Sequence, residues 1–218
     1  METINIDNFR LTDRKLELFD VPSLVQFDID EEFTHNLDTP IDHRPYPFTD
    51  IEFRDAITNN KFIFHGLFNN DKLIAFYQLE SKKEIKEMYI VVMVVHHDYR
   101  DHGIGKYILN IADTEARKLG LDKCTLTVDP LNGRGVYSYF ENGYRIIDYG
   151  LNYWGPNIHR FIMEKKLTNS IKLPIIETKT ILASDDEGLV NIIRDGFIGV
   201  SLSRGDDNRH NKITFIKI

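Results

Sequence analysis

The chain has one cysteine, no apolar run longer than residues 88–95, no surplus of positive charge, no internal repeat and no low-complexity stretch. Each shortage excludes something. With Cys124 alone no internal disulfide can form, and its place in an alternating apolar and polar run gives it a buried apolar role in preference to a nucleophilic one. The apolar run is far below the ~20 residues that span a bilayer, and residues 1–7 lack the basic and apolar regions of a signal peptide. The expected setting is the cytoplasm, with no membrane partner. Lys and Arg number 27 against 34 Asp and Glu, a net charge of −7, which argues against nucleic acid as a partner and mildly favours a cationic amine.

The 218 residues are 42% hydrophobic and 28% charged, a globular balance that suits one generous domain or a domain with an appendage. The most informative stretch is Val95-His96-His97-Asp98-Tyr99-Arg100-Asp101-His102-Gly103-Ile104-Gly105-Lys106, which joins an apolar strand to a helix. The first amides of a helix lack internal partners and sit at the positive end of its dipole, so they bind anions where the approach is open. Gly103 and Gly105 keep that approach clear, and Arg100 adds a fixed charge. The spacing Arg-x-x-Gly-x-Gly is neither the Gly-x-Gly-x-x-Gly of dinucleotide folds nor the longer turn of nucleotide triphosphatases, and it also suits an ordinary helix start.

Downstream, Ile104, Ile108, Ile111, Ala112 and Leu119 recur at helical spacing with Gly120 as the cap, so residues 103–119 read as a helix. A strand follows at 123–128, then a short helix within 132–144 with Gly143 as its cap. Upstream, residues 1–12 read as a polar lead-in, 15–19 as a first strand, and 21–38 as largely helical. Thr49 or Asp50 caps a second helix to about residue 58, and 62–68 with 73–80 form a hairpin. The run 87–95 reads as a strand covered on both faces. Beyond Gly143 come strands at 144–149 and 158–166 around a loop at 152–157. An extended piece at 173–182, a helix at 185–194 and a hairpin with arms 197–201 and 212–218 complete the chain. The edges of that hairpin give the expectation of a homodimer.

With these elements in order, the sequence resembles the GNAT superfamily of acetyl-CoA-dependent N-acyltransferases. The family's phosphate turn, Gln/Arg-x-x-Gly-x-Gly/Ala, is matched by Arg100, Gly103 and Gly105, after a strand whose last valine corresponds to Val95. Its second signature, an asparagine, a tyrosine seven positions on and then Gly-Phe, is matched by Asn132, Tyr139 and Gly143-Tyr144, with Tyr144 replacing phenylalanine. Gly135 stands where alanine is common, which weakens the helix by about 1 kcal/mol.

The resemblance implies an α/β (α+β) fold, a central mixed and mostly antiparallel sheet flanked by helices, over residues 1–167. Residues 168–218 then form a β-rich C-terminal extension packed on that core. The implied activity is N-acetyl transfer from acetyl-CoA, with no metal, to a primary amine of a small molecule, peptide or protein by direct attack on the thioester. Backbone N–H groups of Met93 and Val95 would meet the acyl carbonyl and the pantetheine arm. The amides of Asp101, His102, Gly103, Ile104, Gly105 and Lys106 would take the pyrophosphate, with Arg100 alongside. Asn132 would bond the pantetheine region and Tyr139 would protonate the leaving sulfur, although Tyr139 also suits core filling.

An amine attacks only when neutral, so a proton acceptor is needed. Glu87, at the start of the strand leading to Val95, is the first candidate; Glu80 and a water chain are the alternatives, and both carboxylates also suit solvated strand ends. His96 and His97 point to opposite faces if the strand persists, and no cysteine or His-x-x-x-His partner is near, so no metal is expected. Residues 43–48 and the Tyr153-Trp154 pair offer an acceptor wall or plain loop packing. The acidic cluster Asp28, Asp30, Glu31 and Glu32 reads as a solvated helix face or a lure for an amine. A non-catalytic acetyl-CoA-binding module that regulates or contacts a partner is the alternative to an enzyme.

Overall fold

The computed structural model describes residues 2–31, 35, 39, 43, 47–59, 61–168 and 174–218. They divide into two compact units, residues 1–36 with 46–121, and residues 37–45 with 122–218.

The first unit is an antiparallel meander with strand order β1 (Glu2–Ile6), β2 (Phe9–Lys15), β3 (Phe62–Asn69), β4 (Lys72–Lys82) and β5 (Glu87–Val95). Three helices accompany it: α1 (Val21–Ile29), α2 (Asp50–Thr58) and α3 (Ile104–Lys118). Thr49 caps α2 in a capping box, its hydroxyl accepting the Glu52 N–H while the Glu52 carboxylate accepts the Thr49 N–H. The core joins Leu24 and Phe27 of α1 and Phe53 of α2 to Phe64, Phe76 and Val94 of the sheet. The Phe53 and Phe76 rings meet edge to face at 5.7 Å. Each of these buried side chains contributes about 1.5–3 kcal/mol. Helix α3 lies against β4 and β5 and buries Ile104, Ile108, Leu109, Ala112 and Ala116. Leu119, expected on that face, is 44% exposed, because the helix closes there on Gly120 at φ +68°.

The polar lead-in expected over residues 1–12 is instead a hairpin. Ile6 pairs with Phe9 across a two-residue turn in which Asp7 adopts φ +51°. Residues 15–19 are not the first strand; that stretch holds the end of β2 and a 3₁₀ turn, Leu18–Asp20, tied down by the Arg14–Asp20 pair at 2.7 Å. The expected helix over 21–38 is α-helical only through Ile29, and residues 32–34 and 36–38 lie outside the described residues. Strand β5 is not covered on both faces. Met88, Ile90 and Val94 are buried, while Tyr89, Val91, Val92, Met93 and Val95 are half-buried.

The second unit is also antiparallel, with strand order β6 (Lys123–Val128), β8 (Arg160–Lys166), β7 (Arg145–Gly150), β10 (Ile198–Ser203), β11 (Lys212–Lys217) and β9 (Glu177–Leu182). Helix α4 (Gly133–Glu141) packs on β10, and α5 (Asp186–Arg194) on β7 and β9. Cys124 is fully buried in β6. The terminal hairpin is not an open edge: β10 pairs with β7 through Gly199 and Ile146, and β9 covers β11 along its whole length. The architecture is thus mixed α/β with mostly antiparallel strands and flanking helices. No helix among the described residues is long and apolar enough to cross a membrane.

Candidate active site

Strand β5 delivers the chain to the glycine-bearing turn. After Val95 a 3₁₀ turn, His97–Tyr99, redirects it, and two residues then adopt left-handed backbone, Asp101 at φ +65° and Gly103 at φ +84°. A left-handed residue just before a helix turns successive N–H groups to one side, the concavity that holds anions. Gly103 is the N-cap of α3, and no side chain caps that end. A Cβ at Gly105 would meet nothing within 4 Å, so the protein itself leaves the space there open. Asp101, His102, Gly103, Ile104, Gly105 and Lys106 therefore form one continuous turn.

The N-terminal hairpin braces this turn. His102 Nδ1 lies 2.6 Å from Asp7 Oδ2, and the Phe9 ring meets those of His102 and Tyr99 at 5.1 and 5.0 Å. Deeper in, Asp13 of β2 accepts from Tyr77 of β4 at 3.0 Å and from Tyr107 of α3 at 2.9 Å, and His65 Nδ1 lies 2.7 Å away. Burial pushes the Asp13 carboxyl up, yet His65 and the two hydroxyls outweigh it and hold the group below the ordinary carboxylate range. The same burial raises both tyrosines, which stay protonated donors.

Arg100 does not project freely beside the turn. Its guanidinium donates to Val95 O at 3.0 Å, His35 O at 3.1 Å and Glu31 Oε2 at 2.7 Å. The acidic cluster is correspondingly not a solvated helix face. Glu31 is 2% exposed and also accepts the His97 N–H, Asp28 is 2% exposed and accepts the Phe48 N–H, and Asp30 is half-buried. Glu32 lies outside the described residues. Because the strand ends at Val95, His96 and His97 do not diverge as they would on a continuing strand; their rings stack at 4.3 Å. Burial lowers the His96 imidazole below its ordinary value, Glu31 opposing this in part.

Met93 and Val95 pair across from Tyr77 and Ala75. Just before them the register shifts: Gln78 faces Val92 and Leu79 faces Ile90, so β5 carries an extra residue, Val91. Such a bulge bends the strand and re-aims the residues beyond it. Glu87 opens β5, 8% exposed, with Lys82 Nζ 3.3 Å from its carboxylate. Glu80 lies opposite Tyr89, half-buried.

In the second unit Asn132 caps α4, its Oδ1 accepting the Gly135 N–H at 2.9 Å. A Cβ on Gly135 would stand 3.0 Å from the Asn132 amide, a tight contact. Gly133 is tighter still, its notional Cβ 2.3 Å from Asn211 Nδ2, so the loop before β11 is pressed onto the start of α4. Tyr139 is half-buried on α4, its ring 5.9 Å from that of Tyr144, and Tyr137 is 41% exposed with Arg204 over its ring. Residues 44–46 of the expected acceptor wall lie outside the described residues, Phe48 packs on the first unit's core, and Tyr153 and Trp154 are exposed with their rings 5.1 Å apart.

Sequence reading misses one cluster in this unit. At the end of β6, Asp129 is 5% exposed, 3.2 Å from Arg160 and 3.6 Å from His43, and it accepts the Leu131 N–H at 2.8 Å. Burial raises its carboxyl, with that N–H and the neighbouring cations opposing. Nearby the Tyr149 hydroxyl donates to Asp186 at 2.5 Å, and His159 Nε2 is 3.6 Å from the same carboxylate. His43, Tyr149, His159 and Asp186 line a cavity of about 370 Å³. Their numbers are scattered from 43 to 186, so no local spacing announces them.

Residues 27–144 match the model of the acetyltransferase (GNAT) family. A spermidine N(1)-acetyltransferase of Thermoplasma acidophilum is 30% identical over 112 residues, which is 50% of this chain and 62% of that protein's length. A PaiA N-acetyltransferase of Thermoplasma acidophilum, solved with coenzyme A, superposes with TM-score 0.59 at 23% identity, over 72% of this chain and 98% of that one. A GNAT-family acetyltransferase of Streptococcus pneumoniae does so with TM-score 0.57 at 22% identity, over 72% and 98%.

Proposed function

Because the chain belongs to the acetyltransferase (GNAT) family, we propose that it transfers an acetyl group from acetyl-CoA to a primary amine, acting in the cytoplasm. One observation carries this reading: an uncapped helix N-terminus behind two left-handed residues, with open space at Gly105, at the end of a bulged strand. That constellation fits a diphosphate whose pantetheine arm runs back along β5.

The amides of residues 101–106 hold the diphosphate, and Arg100 keeps their turn in shape through Glu31. Backbone N–H groups of Met93 and Val95 orient the acyl arm, and one of them stabilises the oxyanion as the amine adds to the thioester carbon. Asn132 contributes its amide nitrogen to the pantetheine, since its oxygen already caps α4. Glu87, with Lys82 Nζ 3.3 Å from its carboxylate, accepts a proton from the attacking amine. The Tyr139 hydroxyl returns a proton to the departing sulfur.

The acceptor is a small cationic amine. Two features support this: the spermidine N(1)-acetyltransferase similarity, and the cavity in which Asp186, Tyr149 and His159 converge. A carboxylate beside an aromatic ring attracts and seats an ammonium group. Residues 168–218 act as an extension on a core of residues 1–167, supported by the Gly199–Ile146 pairing, and β9 offers the edge for a homodimer. Light scattering of the full chain tests the dimer.

The deciding experiment offers acetyl-CoA and a panel of amines, polyamines included, to the purified chain and measures release of free CoA, with Gly103→Asp as control. Turnover with at least one amine, abolished by Gly103→Asp, is expected. Calorimetric binding of CoA without acylation of any amine would support a non-catalytic sensor instead, and absence of CoA binding would end both readings.

A further inference from the structure

We infer that Glu31, His96 and His97 form a binding site for a divalent transition-metal ion beside the phosphate turn. One ligand atom from each residue lies within 4.8 Å of the other two. Glu31 Oε1 is 2.9 Å from His97 Nδ1 and 3.9 Å from His96 Nδ1. Ligand atoms about 2.1 Å from a tetrahedral metal are about 3.4 Å from one another, so these separations bracket the required value. Two imidazoles and one carboxylate suit zinc, cobalt, nickel or copper, whereas magnesium and calcium prefer oxygen alone.

The surroundings are those of a supported site. Arg100 and the His97 N–H both bind Glu31 Oε2, which leaves Oε1 turned toward the imidazoles. The His96 Nδ1 already accepts the Asp98 N–H at 3.2 Å, so its lone pair is unprotonated, as ligation requires. When His97 Nδ1 ligates, its proton moves to Nε2, where Asp98 Oδ1 at 3.4 Å receives it as a hydrogen bond. A carboxylate on the far nitrogen of a ligating histidine is the usual way such a ring is held. The His35 ring, stacked on His97 at 3.7 Å, fixes its plane. All three ligands line a cavity of about 940 Å³, which gives an ion access to the otherwise buried Glu31. The inference does not rest on acetyl transfer, since the metal is read without acetyl-CoA.

The test uses the full chain, free of any affinity tag and stripped with EDTA, titrated with cobalt(II) and followed by its visible d–d absorption. One equivalent should bind, and zinc should displace it. His96→Ala and His97→Ala should each weaken binding at least ten-fold, with circular dichroism in EDTA matching wild type, whereas His210→Ala, on an exposed 3₁₀ turn, should leave it unchanged. No saturable band, or a band unaltered in both His96→Ala and His97→Ala, would overturn the assignment. If either variant is unfolded in EDTA, zinc protection of His35, His96 and His97 from diethyl pyrocarbonate in the wild-type chain replaces it, and equal modification with and without zinc counts against the site.

Discussion

The Arg100 guanidinium ends on Glu31, 2.7 Å from Oε2, so the arginine of the glycine-bearing turn points back into the protein. Breaking a buried pair leaves the other charge desolvated and alone. Arg100→Ala should therefore cost about 3 kcal/mol of stability, measured by chemical denaturation. Arg100→Lys should recover only part of it, because one ammonium cannot reach Val95 O, His35 O and Glu31 together.

Gly105 separates binding from folding. Nothing stands within 4 Å of its notional Cβ, so Gly105→Ala should leave the melting temperature unchanged or raise it, by up to about 1 kcal/mol of helix propensity. Gly105→Asp, which sets a negative charge in the anion's approach where the family's turn admits only glycine or alanine, should by calorimetry weaken CoA affinity at least ten-fold. Equal affinity in the variant would remove the diphosphate from this turn.

Tyr139→Phe removes only the hydroxyl from a half-buried ring. If Tyr139 protonates the departing sulfur, kcat should fall by about 10²–10⁴-fold with CoA affinity unchanged. Tyr137→Phe, on an exposed neighbour, is the control and should retain full turnover.

Gly133→Ala drives a methyl into Asn211, and about 1–3 kcal/mol of stability should be lost. The double variant Gly133→Ala with Asn211→Gly should recover little of that in thermal melts, because Asn208 Oδ1 still stands 2.8 Å from the methyl and the Gly205 N–H loses its acceptor.

Asp13 links stability to acid. Its carboxyl is held below the ordinary range, so its contribution is complete above about pH 4 and disappears as pH falls through the lowered native value. Asp13→Asn should flatten the acid limb of the stability–pH curve, read by urea denaturation at a series of pH values, and lower the plateau above it.

How much is legible in the sequence depends on whether the signal is local. Strands β5 and β6 are readable to the residue, because uninterrupted or alternating apolar side chains fix period and length, and α3 declares its start through Gly103 and its end through Gly120. The β1–β2 hairpin escapes because Glu2, Thr3 and Asn5 make β1 polar; its one sign is the Asp7-Asn8 turn between Ile6 and Phe9. Glu31 looks like a solvated charge, and only the fold brings Arg100 and His97 to it from more than sixty positions away. His96 and His97 mislead because alternation assumes a strand that continues past its last valine, where the chain instead folds into a tight turn. Asp129, His43, Tyr149, His159 and Asp186 come from separate segments, so no spacing rule connects them.

A single carboxylate at Asp13 also ties together elements that a reader of the topology would count as separate: the opening hairpin, two inner strands and the helix that starts at the anion turn. Opening of the molecule on the timescale of amide exchange should respect that knot. The protons of β2 and of the first turns of α3 would be lost at a common rate, and a chain trimmed at its front would surrender not a decorative ribbon but the order of the glycine-bearing turn that opens α3.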